Sequence, residues 1–241
     1  MLKIDLHIHT VASGHAFSTI NEIATAASQK KMKVIGISDH GPSMPNSSIN
    51  KHYFSVLATR IPKKLSGVRV LKGVEANITN KGGLDVEEDI LKKLDYVMAA
   101  IHIEPYVNEG KKKNTKNVLK AMENKYLRIL THPYFDIDCE IDIEQIAETA
   151  CRNNILLEVN ASSFEKKVFI DNPRYKTNLK KMIMTVKKYN KKVIVNSDSH
   201  SEWEVGEDDN AKNYYKEIGL TKDLIINNYP KELEKILGVK F

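Results

Sequence analysis

The chain has 241 residues, 41% hydrophobic and 28% charged, with a formal net charge of +6. That apolar content suffices for a full core in one α/β domain spanning 1–241, and no run approaches the roughly 18 apolar residues that a membrane helix needs. Two isolated cysteines, Cys139 and Cys151, exclude a disulfide framework and a thiolate zinc site, and the opening "MLKIDLHIHT" is too polar for a signal peptide, so a cytoplasmic protein is expected.

Strands and helices alternate along the whole chain. "LKIDLHIH" alternates apolar and polar residues as a strand does. "INEIATAASQKK" follows, with Ile20, Ile23, Ala24 and Ala27 on one helical face. Then come the strand "KVIGISDHG", the amphipathic "HYFSVLATRI", a third strand "VRVLKGVEAN", a turn at "TNKGG" and the helix "VEEDILKKL". "YVMAAIH" and "LRILTHP" read as the fourth and fifth strands, with the helical "NTKNVLKAMEN" between them. "DIEQIAETACRNN" leads to the sixth, "ILLEVN", and "NLKKMIMTVKKYN" to the seventh, "KVIVNSDSH". Helical "DNAKNYYKEIG" and "PKELEKILG" close the chain. Seven unbroken βα units predict a closed or nearly closed parallel barrel.

Residues that bind metals recur at one place in this pattern. His7 and His9 end strand one, His40 follows Asp39 at the end of strand two, and Glu75 ends strand three. His102 and His132 end strands four and five, and Asp198 and His200 end strand seven. The C-terminal rim of a βα barrel is where such enzymes build their sites, and His15, in the loop after strand one, can reach it. A lone histidine is most often a surface or hydrogen-bonded group, and His52 on its helix is read that way. Seven histidines placed just after apolar strands are not accounted for so simply.

Alternate residues of a strand point the same way, so His7 and His9 can grip one ion. Imidazoles with carboxylates suit zinc, and also manganese or iron. Seven histidines with Glu75 and Asp198 are too many donors for one tetrahedral ion, and fit two or three. Asp5 and Asp39 are candidate partners for the ligating imidazoles.

The ordered set "DLHIHT", "SDHG", "GVEAN", His102, "THP" and "SDSH" resembles the PHP family (polymerase and histidinol phosphatase), and "TVASGHAFSTI", "KGVEANI" and "EVNASSF" bring it closest to the YcdX-like phosphatases. The resemblance spans essentially the whole chain. It implies a distorted seven-stranded parallel (β/α)7 barrel with a trinuclear, usually zinc, centre. In it His7, His9, Glu75 and Asp198 hold one metal, Glu75 bridges to a second held by His102 and His132, and His15, His40 and His200 hold the third. Ile103, standing between His102 and "EP", is a local departure in a loop that faces substrate.

The chemistry expected of such a centre is phosphomonoester hydrolysis, with a metal-bridging hydroxide attacking phosphorus and His7, His9, Glu75, Asp198 and His200 carrying catalysis. The expected partner is a small phosphorylated compound. A 3′–5′ exonuclease is the second reading, weakly favoured by the basic charge, and an amidohydrolase the third. Arg174 is a candidate phosphate contact, Asn160 and Ser162 candidate hydrogen-bonders, and "EGKKKNTKN" reads as a solvated basic loop. Oligomeric state has no signature in the chain.

Overall fold

The computed structural model describes residues 1–45, 47, 49–134, 139–164 and 171–241. All seven expected strand segments form: β1 (Ile4–Ile8), β2 (Val34–Ile37), the third segment as β4 (Val68–Lys72) and β5 (Glu75–Asn77), then β6 (Val97–Ala100), β7 (Leu127–Leu130), β8 (Leu156–Asn160) and β9 (Ile194–Asn196). An unforeseen two-residue strand, β3 (Lys64–Leu65), runs antiparallel to β4, and every other pairing is parallel.

The strands lie in two sheets, β1-β2-β4-β3 and β5-β6-β7-β8-β9, instead of one continuous ladder. The break falls inside the third expected strand. Gly73 N donates to Ile37 O on β2 (2.7 Å) and Val74 O accepts from Met98 N on β6 (2.9 Å), while Glu75 N still reaches Ser38 O and Asp39 O beyond β2 (3.2 and 3.1 Å), so the chain keeps neighbours on both sides and only the regular ladder lapses. Tyr96 packs at this point. Its buried ring lies against Gly73 and its hydroxyl against Gly36, and there it donates to Leu6 O (2.6 Å). A Cβ on Gly73 would come within 2.4 Å of that ring, and one on Gly36 within 2.2 Å of its oxygen. Single bridges join the sheets at His40–Glu75 and at Ile8–Ser199. At the second seam Leu6 N donates to the Asn196 side chain (2.9 Å), where a regular ladder would supply a carbonyl.

Helices cover the outside, and their ends follow local chemistry. α1 (Ile20–Gln29) starts at a capping box in which Thr19 and Glu22 satisfy each other's backbone N–H groups. α2 spans Lys51–Arg60, α3 Glu88–Leu91 and α5 Ile143–Asn153. α5 is capped by Asp142 and ends at Asn154 in the left-handed conformation. α6 (Pro173–Lys188) begins with Asn172 followed by proline. α7 (Asp209–Lys212) and α8 (Tyr215–Ile218) divide the expected "DNAKNYYKEIG" helix, and α9 (Pro230–Leu237) closes the chain.

The lysine run is a correction. "EGKKKNTKN" is not a free loop, because α4 (Lys111–Ala121) starts within it. Asn114 is buried and accepts from Glu109 N and Tyr106 Oη, both at 3.1 Å, while Lys111 and Lys113 pair with Glu140 and Glu109.

One apolar cluster joins the outer strand faces to the helices. A second fills the lower interior with Ile4, Leu6, Val34, Leu71, Tyr96, Met98, Ile129, Leu156 and Ile194, closed below by Ile226 and by Leu233 and Leu237 of α9. The opposite, C-terminal ends of the strands are left to polar residues. Among the described residues no helix is long and apolar enough to cross a membrane.

Candidate metal centre

The structure brings together all nine residues expected as ligands. His7, His9 and Glu75 are completely buried at the floor, and His40 is 5% exposed. The His102, His132, Asp198 and His200 side chains are 11%, 13%, 17% and 28% exposed, and His15 lies at the surface. His52 is exposed on the first turn of α2, away from the cluster.

Glu75 is the hub. Its Oε2 lies 3.3 Å from His7 Nε2, 3.5 Å from His9 Nε2 and 3.0 Å from His40 Nδ1. Its Oε1 lies 3.4 Å from His102 Nε2 and 3.1 Å from His132 Nε2, and accepts from Thr131 Oγ1 at 2.8 Å. The two oxygens thus face two different sets of imidazoles. Asp198 Oδ1 stands 3.3 Å from His7 Nε2 and 3.1 Å from His9 Nε2. On the solvent side His40 Nε2 and His15 Nε2 are 3.3 Å apart, and the His15 and His200 rings stack with centroids 4.9 Å apart.

Among the described residues, three ligand-atom groups are compact enough for an ion: His7–His9–Asp198, His40–Glu75–His102 and His9–His40–His200. The first matches the expected first set without Glu75. In the second His40 stands where His132 was expected, and in the third His9 stands where His15 was expected.

Several atoms fit cations and little else. Glu75 Oε2, Asp198 Oδ1 and His40 Nδ1 are buried without a hydrogen bond, although His40 Nδ1 and Glu75 Oε2 are adjacent. Buried acceptors without donors carry a large desolvation penalty. The Nε2 atoms of His7 and His9 face each other at 3.1 Å, an arrangement suited to a shared cation between two lone pairs.

Surrounding residues fix which nitrogen is presented. His7 Nδ1 lies 2.8 Å from the Glu158 carboxylate, which can only accept, so Nε2 turns to the centre. His9 Nδ1 meets Ser13 Oγ (3.1 Å), whose own proton goes to Asp39 (2.7 Å). His102 Nδ1 meets Asn77 Oδ1 (2.7 Å), and the Asn77 amide donates to Asp85 (2.6 Å) and Gly41 O (3.2 Å). His200 Nδ1 is 3.0 Å from the Asp198 carbonyl. Asp39 therefore acts through Ser13, and it also receives Thr10 and the Tyr53 hydroxyl. Asp5 orients no imidazole: its carboxylate ties β1 to the loop after β9 through Ser197 N (3.1 Å) and Gly206 N (2.9 Å), and burial raises its pKa to about 6. Asn160 reaches the centre by donating to Asp198 Oδ2 (2.8 Å), with Ser162 donating to Asn160.

The charges set protonation. Burial pushes His7 down, but Glu158, Asp198 and Glu75 outweigh it and hold His7 well above the ordinary imidazole value. Burial pushes His132 down as well, but Glu75, Glu158 and Asp198 together outweigh it and raise His132. Burial and neighbouring imidazoles lower His9 to about 4 and His40 to about 3. Glu75 and Asp198 lie well below the carboxylate range because the surrounding histidines outweigh their burial.

Two of the nine sit on unusual backbone. His132 (φ 31°) and Asp198 (φ 56°) adopt the left-handed region, which costs a non-glycine residue about 1–3 kcal/mol and is concentrated at functional sites. A cavity of about 670 Å³ opens over the cluster, lined by His15, His40, Glu75, His102, His132, Asp198 and His200 together with apolar residues. Arg174, exposed on the first turn of α6, is not among its lining.

Comparison with known proteins gives this arrangement a family. Residues 5–171 match the PHP domain model. The chain belongs to the PHP family. Asp198 and His200 lie beyond the matched stretch. A protein named probable phosphatase from Clostridium novyi (strain NT) is 38% identical to this PHP chain over 239 residues, covering 98% of this chain and 95% of its own. Another, from Caldanaerobacter subterraneus subsp. tengcongensis, is 39% identical over 242 residues, covering 99% and 92%. A solved histidinol phosphate phosphatase from Lactococcus lactis, in complex with zinc, L-histidinol and phosphate, superposes with a TM-score of 0.57 at 15% identity, over 90% of this chain and 94% of that one. That likeness concerns the PHP fold alone.

Proposed function

We propose that the chain is a metal-dependent phosphatase that hydrolyses a small phosphomonoester at a centre of three divalent ions, zinc in the first instance, with manganese or iron as alternatives. The observation that carries this reading is Glu75, a buried carboxylate whose two oxygens face separate groups of imidazoles, with one oxygen lacking any donor. The ligand sets we assign are His7, His9, Glu75 and Asp198; Glu75, His102 and His132; and His15, His40 and His200. We take the two bridged sheets as a distorted seven-stranded barrel in one domain, 1–241. Cys139 and Cys151 are buried and not joined in a disulfide, which suits a cytoplasmic setting.

Divalent ions bound there supply Lewis acidity towards phosphoryl oxygens and lower the pKa of a water nucleophile. The chain's own residues perform the remaining tasks. Glu158, Ser13 and Asn77 hold His7, His9 and His102 with Nε2 inward. Thr131 fixes one oxygen of Glu75 and Asn160 one oxygen of Asp198. The apolar lining on one side of the cavity limits water around the reacting group. The relatives named probable phosphatases support the reaction class, and the zinc and phosphate in the Lactococcus neighbour agree with the chemistry of this donor set.

The test combines metal analysis with substrate class. Protein purified without added metal or chelator is expected to carry about three metal equivalents, and to hydrolyse phosphomonoesters faster than oligonucleotides, amides or lactones. Oligonucleotide turnover exceeding monoester turnover would favour the exonuclease reading, and amide or lactone turnover the amidohydrolase one. Metal content near zero that reloading does not restore would end all three.

A further inference from the structure

The cavity is far larger than a phosphoryl group requires, and about 670 Å³ falls within the range of small-molecule sites. Its lining is also lopsided. Met44 comes from the segment after β2, but Ile78, Ile101, Ile103, Leu130 and Ile141 come from the ends of β5, β6 and β7 and the segments beyond, three adjacent strands of one sheet. These strands also carry Glu75, His102 and His132. An apolar wall therefore stands directly beside one part of the ligand cluster, while His15 and His200 border the other side.

Charge narrows the ligand further. None of the described lining residues is Lys or Arg, and the only charged one outside the nine is Glu104. Among the described lining residues, a polyanion reaching beyond the histidine cluster would meet a carboxylate and no lysine or arginine. Ile103 is the telling residue. It is 53% exposed at the mouth, held by a turn in which Tyr106 N donates to His102 O (3.1 Å). A large apolar side chain left open to water beside the buried Ile78, Leu130 and Ile141 and the half-buried Ile101 is suited to being covered by a bound apolar group.

We propose that the organic part of the substrate is an apolar group that lies against Ile78, Ile101, Ile103, Leu130 and Ile141, with its single phosphate at the histidine cluster. The substrate class is thus a monophosphate ester of an apolar alcohol or phenol, as opposed to a nucleotide or sugar polyphosphate. Ile103 is a specificity-determining residue. This inference rests on the phosphatase reading above.

Binding tests it separately from turnover. Titration calorimetry on the protein as purified would compare inorganic phosphate, non-hydrolysable n-alkylphosphonates from methyl to hexyl, and the matching alcohols. The expected result is about fourfold tighter phosphonate binding per added methylene, with a negative heat-capacity change that grows with chain length. Ile103→Asp is expected to weaken hexylphosphonate about tenfold more than methylphosphonate; its exposed position spares the core. Phosphonates that all bind equally well would overturn the inference and leave the phosphatase reading standing. Alcohols that bind with chain-length dependence while phosphate and phosphonates do not would support the apolar wall and sink the phosphatase reading. No binding by any probe would sink both.

Discussion

The lower and upper halves of the strands face the same interior and are built to opposite rules. Below, Leu71, Leu156 and Ile194 meet Ile4, Val34 and Ile129 over the plug formed by α9. Above, the same strands or the residues that follow them present Glu75, Glu158 and Asp198. A fully buried aliphatic side chain contributes about 1.5–3 kcal/mol, whereas buried charges and imidazoles cost desolvation unless partners offset it. The lower half therefore supplies stability that the upper half draws on, and function is confined to residues the fold does not need for its own cohesion.

Substitutions in each half should separate these contributions. The largest effect is expected from His7→Ala, which removes a floor ligand: turnover should fall by about 10³-fold or more while the far-ultraviolet circular dichroism stays native. Unchanged turnover would remove His7 from the mechanism. Leu71→Ala should do the reverse, costing about 2–5 kcal/mol of stability in urea denaturation with bound metal retained. Loss of metal without loss of stability would break the division between the halves.

Glu158→Gln keeps an oxygen near His7 Nδ1 but removes the charge, and should weaken metal binding by about 10–100-fold in chelator competition. The pH dependence of loading follows from the histidines. His7 and His132, held above the ordinary imidazole value, must lose protons to become ligands, whereas His9 (about 4) and His40 (about 3) are already neutral at pH 7. Metal affinity should therefore rise with pH near neutrality, with protons released on binding; calorimetry in buffers of different ionisation enthalpy measures this directly. Arg174→Ala should have the smallest effect, leaving KM within about twofold, because Arg174 is exposed and outside the described cavity lining. A larger rise in KM would restore Arg174 as a phosphate contact.

Eight of the nine candidate ligands were legible in the sequence because each stands at the end of an apolar run that must be a strand, and strand ends converge; His15 was legible as a loop residue close behind the first of them. The residues that aim them were harder to see. Ser13 and Asn77 are ordinary polar residues whose use depends on what the fold brings near. Glu158 did leave a signal, an acid in the middle of "ILLEVN", where a strand buried on both faces has no place for an unpaired charge. The division of the third strand was invisible for a different reason, since the ring packed against it, Tyr96, lies far along the chain, just ahead of β6. The lysine run misled because composition registers its charges but not the buried Asn114 that anchors it.

Tyr96, Gly36 and Gly73 also bear on how this family can change. The ring fills the space that a side chain at either glycine would occupy, so the three positions constrain one another sterically. Alanine at Gly36 or Gly73 becomes accessible only in a lineage that has first lost the aromatic ring, and losing the ring first leaves a hole beneath the histidines and Leu6 O without its donor. Each single step passes through a less stable protein, and a neutral path between the two solutions is closed unless stability gained elsewhere opens it.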